Sequence, residues 1–308
     1  MRLRPNLKTG VANEGPERGK RVSVVLGCLP LVLLVAAALS QRAVLPAWGF
    51  MWALAAAIFF GLKWLSWWRA RSEVAHSAWR SVSYLFAWPG MDAESFLGDG
   101  RVARPSLMQW SWALAKTGVG IALLFGCARL VPEDLPLLRG WVGLLGLILV
   151  LHFGSFELIA LGWQALGVDA EPIMQSPIFS RSLSEFWGKR WNLGFRQLSY
   201  DFVFQPLHRV LGVAGATLVV FLFSGLIHES VISLPARGGY GFPTGYFLLQ
   251  GFGVILERSR LGKGLALQRG FSGWAFMAIM TAGPAFWLFH PPFVMRVALP
   301  FMRAIRAI

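Results

Sequence analysis

The sequence predicts an all-α membrane protein, a polytopic bundle of about seven transmembrane helices with amphipathic helices at the interface. The 308 residues are 56% hydrophobic, with a mean hydropathy of +0.55, and only 14% are charged, whereas soluble domains average about 25%. Long apolar runs alternate with breaks at proline and glycine. Tryptophans such as Trp64, Trp67 and Trp68 cluster at run ends, where amphipathic rings favour the headgroup layer.

The composition also excludes several classes of protein. Only two cysteines are present, Cys28 and Cys127, and both lie in apolar runs, so neither a disulfide framework nor a thiol-rich metal site is expected. The net charge is +14, but the basic residues are spread through loops between apolar runs. They do not form the concentrated patch of a nucleic-acid-binding domain, and no nucleic acid partner is expected.

The apolar runs place the spans, because about 20 apolar residues cross a bilayer as a helix. The predicted spans are residues 22–40, 47–65, 107–130, 141–166, 210–233, 242–257 and 271–290. The final 18 residues are too short and too basic for a span, and we expect an interfacial helix there.

The N-terminal region resembles a secretory signal, since six basic residues in 1–21 precede an apolar run. That run is about 19 residues long, beyond the roughly 7 to 15 of a signal peptide, and no persuasive cleavage site follows. We therefore expect a basic tail over 1–21, with a retained first span opening a single transmembrane domain over 22–308.

The loop charges predict an orientation. With the N-terminus in the cytoplasm, 21 basic residues lie on the cytoplasmic side and 7 on the other. The positive-inside rule favours this arrangement. We therefore expect a multi-pass membrane protein with a cytoplasmic N-terminus.

The segment after the fourth predicted span is too polar to cross and too apolar to leave the membrane. Ser182 and Glu185 have the spacing of a capping box, so a helix should start there. Apolar residues from Leu183 to Phe202 recur at helical spacing while basic residues take other faces. This pattern predicts an amphipathic helix in the cytoplasmic interface, for which an anchor on lipid phosphates is the simplest function.

A single histidine, His228, lies within the apolar sequence FLFSGLIHES. Ser224 is four residues earlier and shares its helical face, whereas Glu229 points about 100 degrees away and is not expected to orient the imidazole. The second histidine of a zinc protease helix is absent from this sequence, so we expect no metal site.

Three motifs carry a family resemblance. The block FWGKRWN from Phe186 to Asn192, SGLIHE from Ser224 to Glu229, and WPGMD from Trp88 to Asp92 resemble the wax-synthase-like branch of the membrane-bound O-acyltransferase family, over about residues 80–300. The resemblance implies that His228 is the catalytic histidine and that Asn192 is the second polar residue of the site.

The residue types fit acyl transfer to an alcohol. A neutral imidazole can take the proton of an attacking hydroxyl, and Asn192 can either donate to the oxyanion or fix the alcohol. We expect acyl-coenzyme A as a co-substrate and no bound cofactor. Basic side chains suit its phosphates. The further substrate-binding candidates are Trp187, Lys189, Arg190, Trp191, Arg196 and Ser224.

The acceptor stays open at this point. A long-chain alcohol, giving a wax ester, is the first expectation, and a sterol, terpenoid or other secondary metabolite is the alternative. A transporter or lipid-translocating protein is the competing class, with His152, Glu157 and His228 as its polar pathway. Membrane lipids are expected neighbours in every case.

Overall fold

The computed structural model describes residues 15–74, 77–100 and 102–308. All regular structure within these ranges is helical, as predicted. Residues 1–14 of the predicted basic tail lie outside the described residues, and the first helix already begins at Gly15.

Six helical stretches are long and apolar enough to cross a membrane, which confirms a multi-pass protein with about seven spans. They are α1 (Gly15–Ser40, with its apolar part at Val25–Ala43), α2 (Ala47–Ala70), α5 (Leu107–Leu130), α6 (Pro136–Ala165), α9 (Gln205–Ala236, within the apolar stretch Leu193–Ala236) and α12 (Gly270–Leu288). In α9 the backbone leaves helical geometry at Gly212, with φ 67° and ψ 176°. The spanning part of this helix therefore starts after Gly212.

Shorter helices connect and flank the spans. They are α3 (Ala78–Ala87), α4 (Ala93–Leu97), α7 (Leu183–Glu185, continued by the π-helical turn Phe186–Arg190), α8 (Leu193–Ser199, continued by the π-helical turn Tyr200–Phe204), α10 (Phe242–Arg258), α11 (Arg260–Gly264), α13 (Pro291–Phe293, continued by the π-helical turn Val294–Ala298) and α14 (Leu299–Ala304).

Contacts at the two ends of α10 establish that it crosses the bundle, as the sequence predicted. The Arg258 guanidinium donates to the Ser184 hydroxyl near α7 (3.1 Å), while a short turn joins the other end to α9. Further along, Arg296 donates to the carbonyl of Ala236, so α12 must return to that end. We call the end beside α7 the motif face and the end at Ala236 the opposite face. α10 has 17 residues, about 26 Å, and is the shortest crossing.

Helices α9 and α10 pack closely where His228 lies. At Gly225 a Cβ atom would lie 2.9 Å from the Cα of Thr244, so only glycine permits this approach. The Glu229 carboxylate accepts hydrogen bonds from the backbone N–H groups of Gly241 (2.9 Å) and Thr244 (3.2 Å) at the start of α10. Glu229 thus joins two helices and does not orient His228, as its angular position predicted.

Lys63 is one of the 21 basic residues counted on the cytoplasmic side, and the structure places it elsewhere. Lys63 lies inside α2 and is fully buried. Its ammonium group donates to the carbonyl of Gly90 and lies 3.3 Å from the ring centroid of Tyr84. A buried ammonium needs such partners, and here they fix the 88–92 segment to a transmembrane helix.

The segment from Ser182 to Phe202 also differs from the single amphipathic helix predicted. Ser182 accepts a hydrogen bond from the Glu185 N–H as expected (3.0 Å), but the helix ends at Arg190 and restarts after Asn192, whose φ is 46°. Leu183 and Phe186 are buried against α9, α10 and α12. The apolar periodicity correctly predicted which face of the segment is buried. That face is covered by other helices of the protein, whereas the sequence predicted that it would face the membrane interface.

Candidate active site

A cavity of about 280 Å³ lies between helices α9 and α10 and the segment from Ser182 to Phe204, which we call the inserted segment. Six of the eight residues predicted for the site line it: Trp187, Trp191, Asn192, Arg196, Ser224 and His228. Non-helical backbone at membrane depth is tolerated where it borders a cavity or is buried in protein. The break at Trp191 and Asn192 meets that condition.

His228 is oriented by its own helix. Its Nδ1 atom lies 2.7 Å from the carbonyl oxygen of Ser224. Because a carbonyl only accepts, Nδ1 must carry the proton, and the neutral ring then keeps its lone pair on Nε2. The Ser224 hydroxyl donates to the Val220 carbonyl (3.0 Å), so it does not bind the imidazole. This arrangement leaves Nε2 as the basic atom of the ring.

Asn192 is positioned by the start of α8. Its side-chain oxygen accepts from the Phe195 N–H (3.3 Å), and its own N–H points to the sulfur of Met174 (3.3 Å). Since the Phe195 backbone N–H must donate, the side-chain oxygen of Asn192 faces it, and the side-chain NH₂ group of Asn192 remains as a donor. At Gly194 a Cβ would lie 3.0 Å from the Met91 nitrogen, so the WPGMD segment packs directly behind this turn.

Aromatic rings connect the two polar groups. The Phe247 ring centroid lies 4.3 Å from that of His228 and 5.7 Å from that of Trp187. The Trp187 indole donates to the Gln250 side-chain oxygen (3.3 Å), and Gln250 in turn donates to the Met280 carbonyl (2.6 Å). Rings held in this way give the cavity an apolar wall between His228 and Asn192.

Charged residues hold the inserted segment in place from outside the cavity. The Glu257 carboxylate, buried on α10, accepts from the N–H groups of Leu183 (2.6 Å) and Ser184 (3.2 Å) at the start of α7. Arg190 donates to Glu185 (2.7 Å) and to the carbonyl of Gln175 (3.1 Å). These bonds fix both ends of the α7 turn.

The contacts at the α7 turn change the pKa of the Glu185 carboxyl. Partial burial alone raises the pKa of its carboxyl, but the Arg181 N–H and the Arg190 guanidinium outweigh this and hold the pKa below its usual range. The carboxylate therefore stays charged at neutral pH. This contact lies outside the transmembrane helices.

The positive charges at the cavity differ from those predicted. Arg196 lines the cavity, whereas Lys189 is exposed elsewhere and Arg190 is engaged with Glu185 and Gln175, so neither of these two reaches it. Arg258, at the end of α10, lines the cavity instead. Sequence reasoning missed Arg258 because it considered only charges within the motif segment.

Ser199 was also missed. It is 2% exposed, lines the cavity, and its hydroxyl has no hydrogen-bond partner among the described residues. A buried hydroxyl without a partner costs free energy. A serine between Leu198 and Tyr200 on a helix gave no signal in the sequence.

His152 and Glu157 both lie on α6 but have different surroundings. Glu157 on α6 pairs with Lys116 on α5, an ion pair between neighbouring spans. The Nδ1 atom of His152 is buried without a hydrogen-bond partner in the described part of the chain.

Part of this chain is similar to known proteins. Residues 170–249 match the family described as membrane bound O-acyl transferase. A long-chain-alcohol O-fatty-acyltransferase of Simmondsia chinensis is 35% identical over 143 residues, covering 42% of this chain and 40% of that protein. The probable long-chain-alcohol O-fatty-acyltransferase 7 of Arabidopsis thaliana is 31% identical over 144 residues, covering 42% of each.

A protein with a related activity is also similar in sequence to this chain. The acyl-CoA–sterol O-acyltransferase 1 of Arabidopsis thaliana is 27% identical over 143 residues, covering 41% of this chain and 39% of that protein. The alignments span about two fifths of the length of these relatives. Every residue predicted for the site lies within the matched range 170–249, and the chain is there similar to the membrane-bound O-acyltransferase family and to its wax-synthase-like members.

Proposed function

We propose that this protein transfers an acyl group from acyl-coenzyme A to the hydroxyl of a lipophilic alcohol, with residues 22–308 acting as one acyltransferase domain. The observation that carries the proposal is the pair of groups at the cavity: a His228 ring whose Nε2 is basic and an Asn192 amide whose NH₂ has no hydrogen-bond partner among the described residues. One group suits proton removal and the other suits oxygen anion binding.

The chemistry follows from these two atoms. The alcohol oxygen attacks the thioester carbonyl carbon while His228 Nε2 takes the hydroxyl proton. The Asn192 NH₂ donates to the carbonyl oxygen as it gains negative charge. The carbon–sulfur bond then breaks, the imidazolium returns the proton to the thiolate, and the ester and free coenzyme A leave. General-base help of this kind is typically worth about 100 to 10,000-fold.

The shape of the cavity supports coenzyme A as the donor. His228 and Phe247 mark one end, while Thr217 on α9 and Arg258 on α10 mark the other. On each helix the two residues are eleven positions apart, about 16 Å. About 13 bonds separate the sulfur of coenzyme A from its first phosphorus, roughly 16 Å when extended. A thioester at His228 would thus place the diphosphate near Arg258, where a guanidinium suits it.

The acceptor we propose first is a long-chain alcohol, as the names of the similar plant proteins suggest for those proteins, with a sterol as the alternative. The test offers purified protein in lipid nanodiscs labelled acyl-coenzyme A of several chain lengths, with fatty alcohols and sterols in parallel. Mass spectrometry should detect an ester that depends on both substrates. Absence of any ester across the panel, with His152 variants altering solute transport instead, would favour the transporter class.

We further propose that the motif face, with Arg258, is cytoplasmic, because the predicted topology assigns most basic residues of the sequence to that side even when the buried Lys63 is left out. In a Cys28→Ala, Cys127→Ala background, Arg260→Cys should react with an impermeant maleimide only from the cytoplasm. Asp134→Cys, on the loop between α5 and α6, should react only from outside. The reverse pattern would overturn the orientation and the donor's entry from the cytoplasm.

A further inference from the structure

A second charged cavity lies at the opposite face of the bundle, away from the candidate active site. Its volume is about 350 Å³, within the range of about 300 to 1,000 Å³ typical of small-molecule sites. Three arginines line it: Arg42 after α1, Arg237 at the end of α9 and Arg296 in the turn after α13. Three separate elements therefore bring their ends to one place.

The charge in this cavity is unbalanced. No acidic residue lines it in the part of the chain that the structure describes. Arg296 is held in place, since its guanidinium donates to the carbonyls of Ala236 (3.0 Å) and Arg237 (3.1 Å). Helix α2 begins at Ala47, also on the cavity wall, without a side-chain cap. Its unpaired N–H groups add positive potential.

The distribution of charge along the chain makes this cluster unusual. The predicted topology assigns 7 basic residues to the opposite face, and three of them share this cavity. Two of the remaining four have protein partners, because Arg129 donates to the carbonyl of Ala307 (2.9 Å) and Arg139 bonds Glu133 (3.3 Å). Three like charges around one cavity repel each other unless an anion lies between them.

The remaining lining of the cavity is apolar. Leu45, Phe50 and Leu234 complete the wall, and Val44 beside them is 76% exposed at the end of two spans. A headgroup phosphate among the arginines could therefore have its acyl chains along the apolar ends of α1 and α2. A free anion would satisfy the charges but leave this apolar surface unused.

We propose that this cavity binds the phosphate of an anionic phospholipid, with Arg42, Arg237 and Arg296 as its ligands. The site is separate from the candidate active site and does not depend on the proposed acyl transfer. Arginine suits it because its planar donor groups match phosphate oxygens in pairs.

Native mass spectrometry tests the proposal on the purified full-length chain exchanged into equal amounts of phosphatidylglycerol and phosphatidylcholine. We expect one phosphatidylglycerol molecule to be retained preferentially. A basic residue near a lipid surface contributes about 1 kcal/mol, so Arg42→Gln should weaken retention about fivefold and Arg42→Gln with Arg237→Gln about 25-fold.

Arg303→Gln is the matched control, since Arg303 is exposed on α14 and does not line the cavity. It should retain the lipid as the unmodified chain does. Melting temperatures in phosphatidylcholine nanodiscs should be alike for all variants, which separates lost binding from lost folding. Equal retention of the two lipids, or equal loss in Arg303→Gln, would overturn the proposal. If millimolar inorganic phosphate displaced the lipid, the site would be one for a free anion, which would also overturn the proposal.

Discussion

The two walls of the candidate active site are built in different ways. On one wall, His228 belongs to a continuous transmembrane helix and is oriented by a carbonyl four residues earlier in the same helix. On the other, Asn192 lies in a break with φ 46° and depends on Met174, Phe195 and the WPGMD segment for its position. One wall is set by local geometry and the other by tertiary contacts.

This difference separates what each residue does for the fold. Removing the His228 side chain deletes one hydrogen bond, which is to the Ser224 carbonyl, and leaves the helix otherwise intact. Removing the Asn192 side chain deletes a helix cap and leaves a residue without that cap in a left-handed conformation. We therefore expect function and stability to be separable at His228 and coupled at Asn192.

The largest expected effect is at His228. His228→Ala should lower ester formation about 100 to 10,000-fold, because it removes the proposed general base. The melting temperature and the yield in membranes should stay close to those of the unmodified chain. Turnover is measured at saturating donor, so that a loss of the chemical step is distinguished from weaker binding. Near-normal turnover in the folded variant would contradict the mechanism.

Asn192 should show a smaller loss of turnover together with a loss of stability. Loss of one oxyanion donor costs about 100 to 1,000-fold in turnover, and loss of the cap costs about 1 kcal/mol of folding free energy.

Two variants divide these contributions. Asn192→Asp keeps an oxygen to cap α8 but removes the NH₂ donor, so it should preserve the melting temperature and lose turnover. Asn192→Gly tolerates the left-handed backbone and removes both groups. If Asn192→Asp retained turnover, the amide would have no part in binding the oxyanion.

The contrast between the two walls also explains what the sequence predicted. The helix carrying His228 and the other five long apolar helices followed from apolar length, and the position of Glu229 followed from helical angle, because these depend on neighbours in the chain. The break at Asn192 and the cap from Glu257, 74 residues after Leu183, could not follow in that way. The burial of Lys63 likewise depends on Gly90 and Tyr84 across the bundle.

The charged residues make the same point about the site. Arg190 was predicted to bind phosphate because it stands within the motif, yet its guanidinium closes the α7 turn through Glu185 and Gln175. Arg258 stands outside the motif and reaches the cavity because α10 runs antiparallel to α9. Proximity in sequence and proximity in space disagree for these two side chains.

A third prediction tests that disagreement. Arg258→Gln should raise the KM for acyl-coenzyme A about five- to tenfold with little change in kcat, because an exposed charge that binds donor and transition state alike contributes uniform binding. Lys189→Gln is the matched control and should leave both constants unchanged, since Lys189 does not line the cavity. Equal effects in both variants would mean that the positive charges of this face attract acyl-coenzyme A in general, without a specific contact from Arg258.

The smallest effect is expected at the ion pair that closes the α7 turn. The pKa of Glu185 is held below its usual range in the folded protein, chiefly by the Arg181 N–H and Arg190 against the opposing effect of burial. A lowered folded pKa contributes stability above the unfolded pKa of about 4.3. That contribution is lost as the pH falls through the folded value.

Glu185→Gln should therefore lower the melting temperature by about 1 to 3 °C at pH 7, and the difference from the unmodified chain should shrink below about pH 4. Glu94→Gln, on the short helix α4, provides a control because Glu94 has no ion pair among the described residues. Thermal unfolding in detergent between pH 3 and pH 8 measures both variants. A difference that grew as the pH fell would mean that Glu185 destabilises the turn when charged, and Arg190 would then be free to serve the cavity after all.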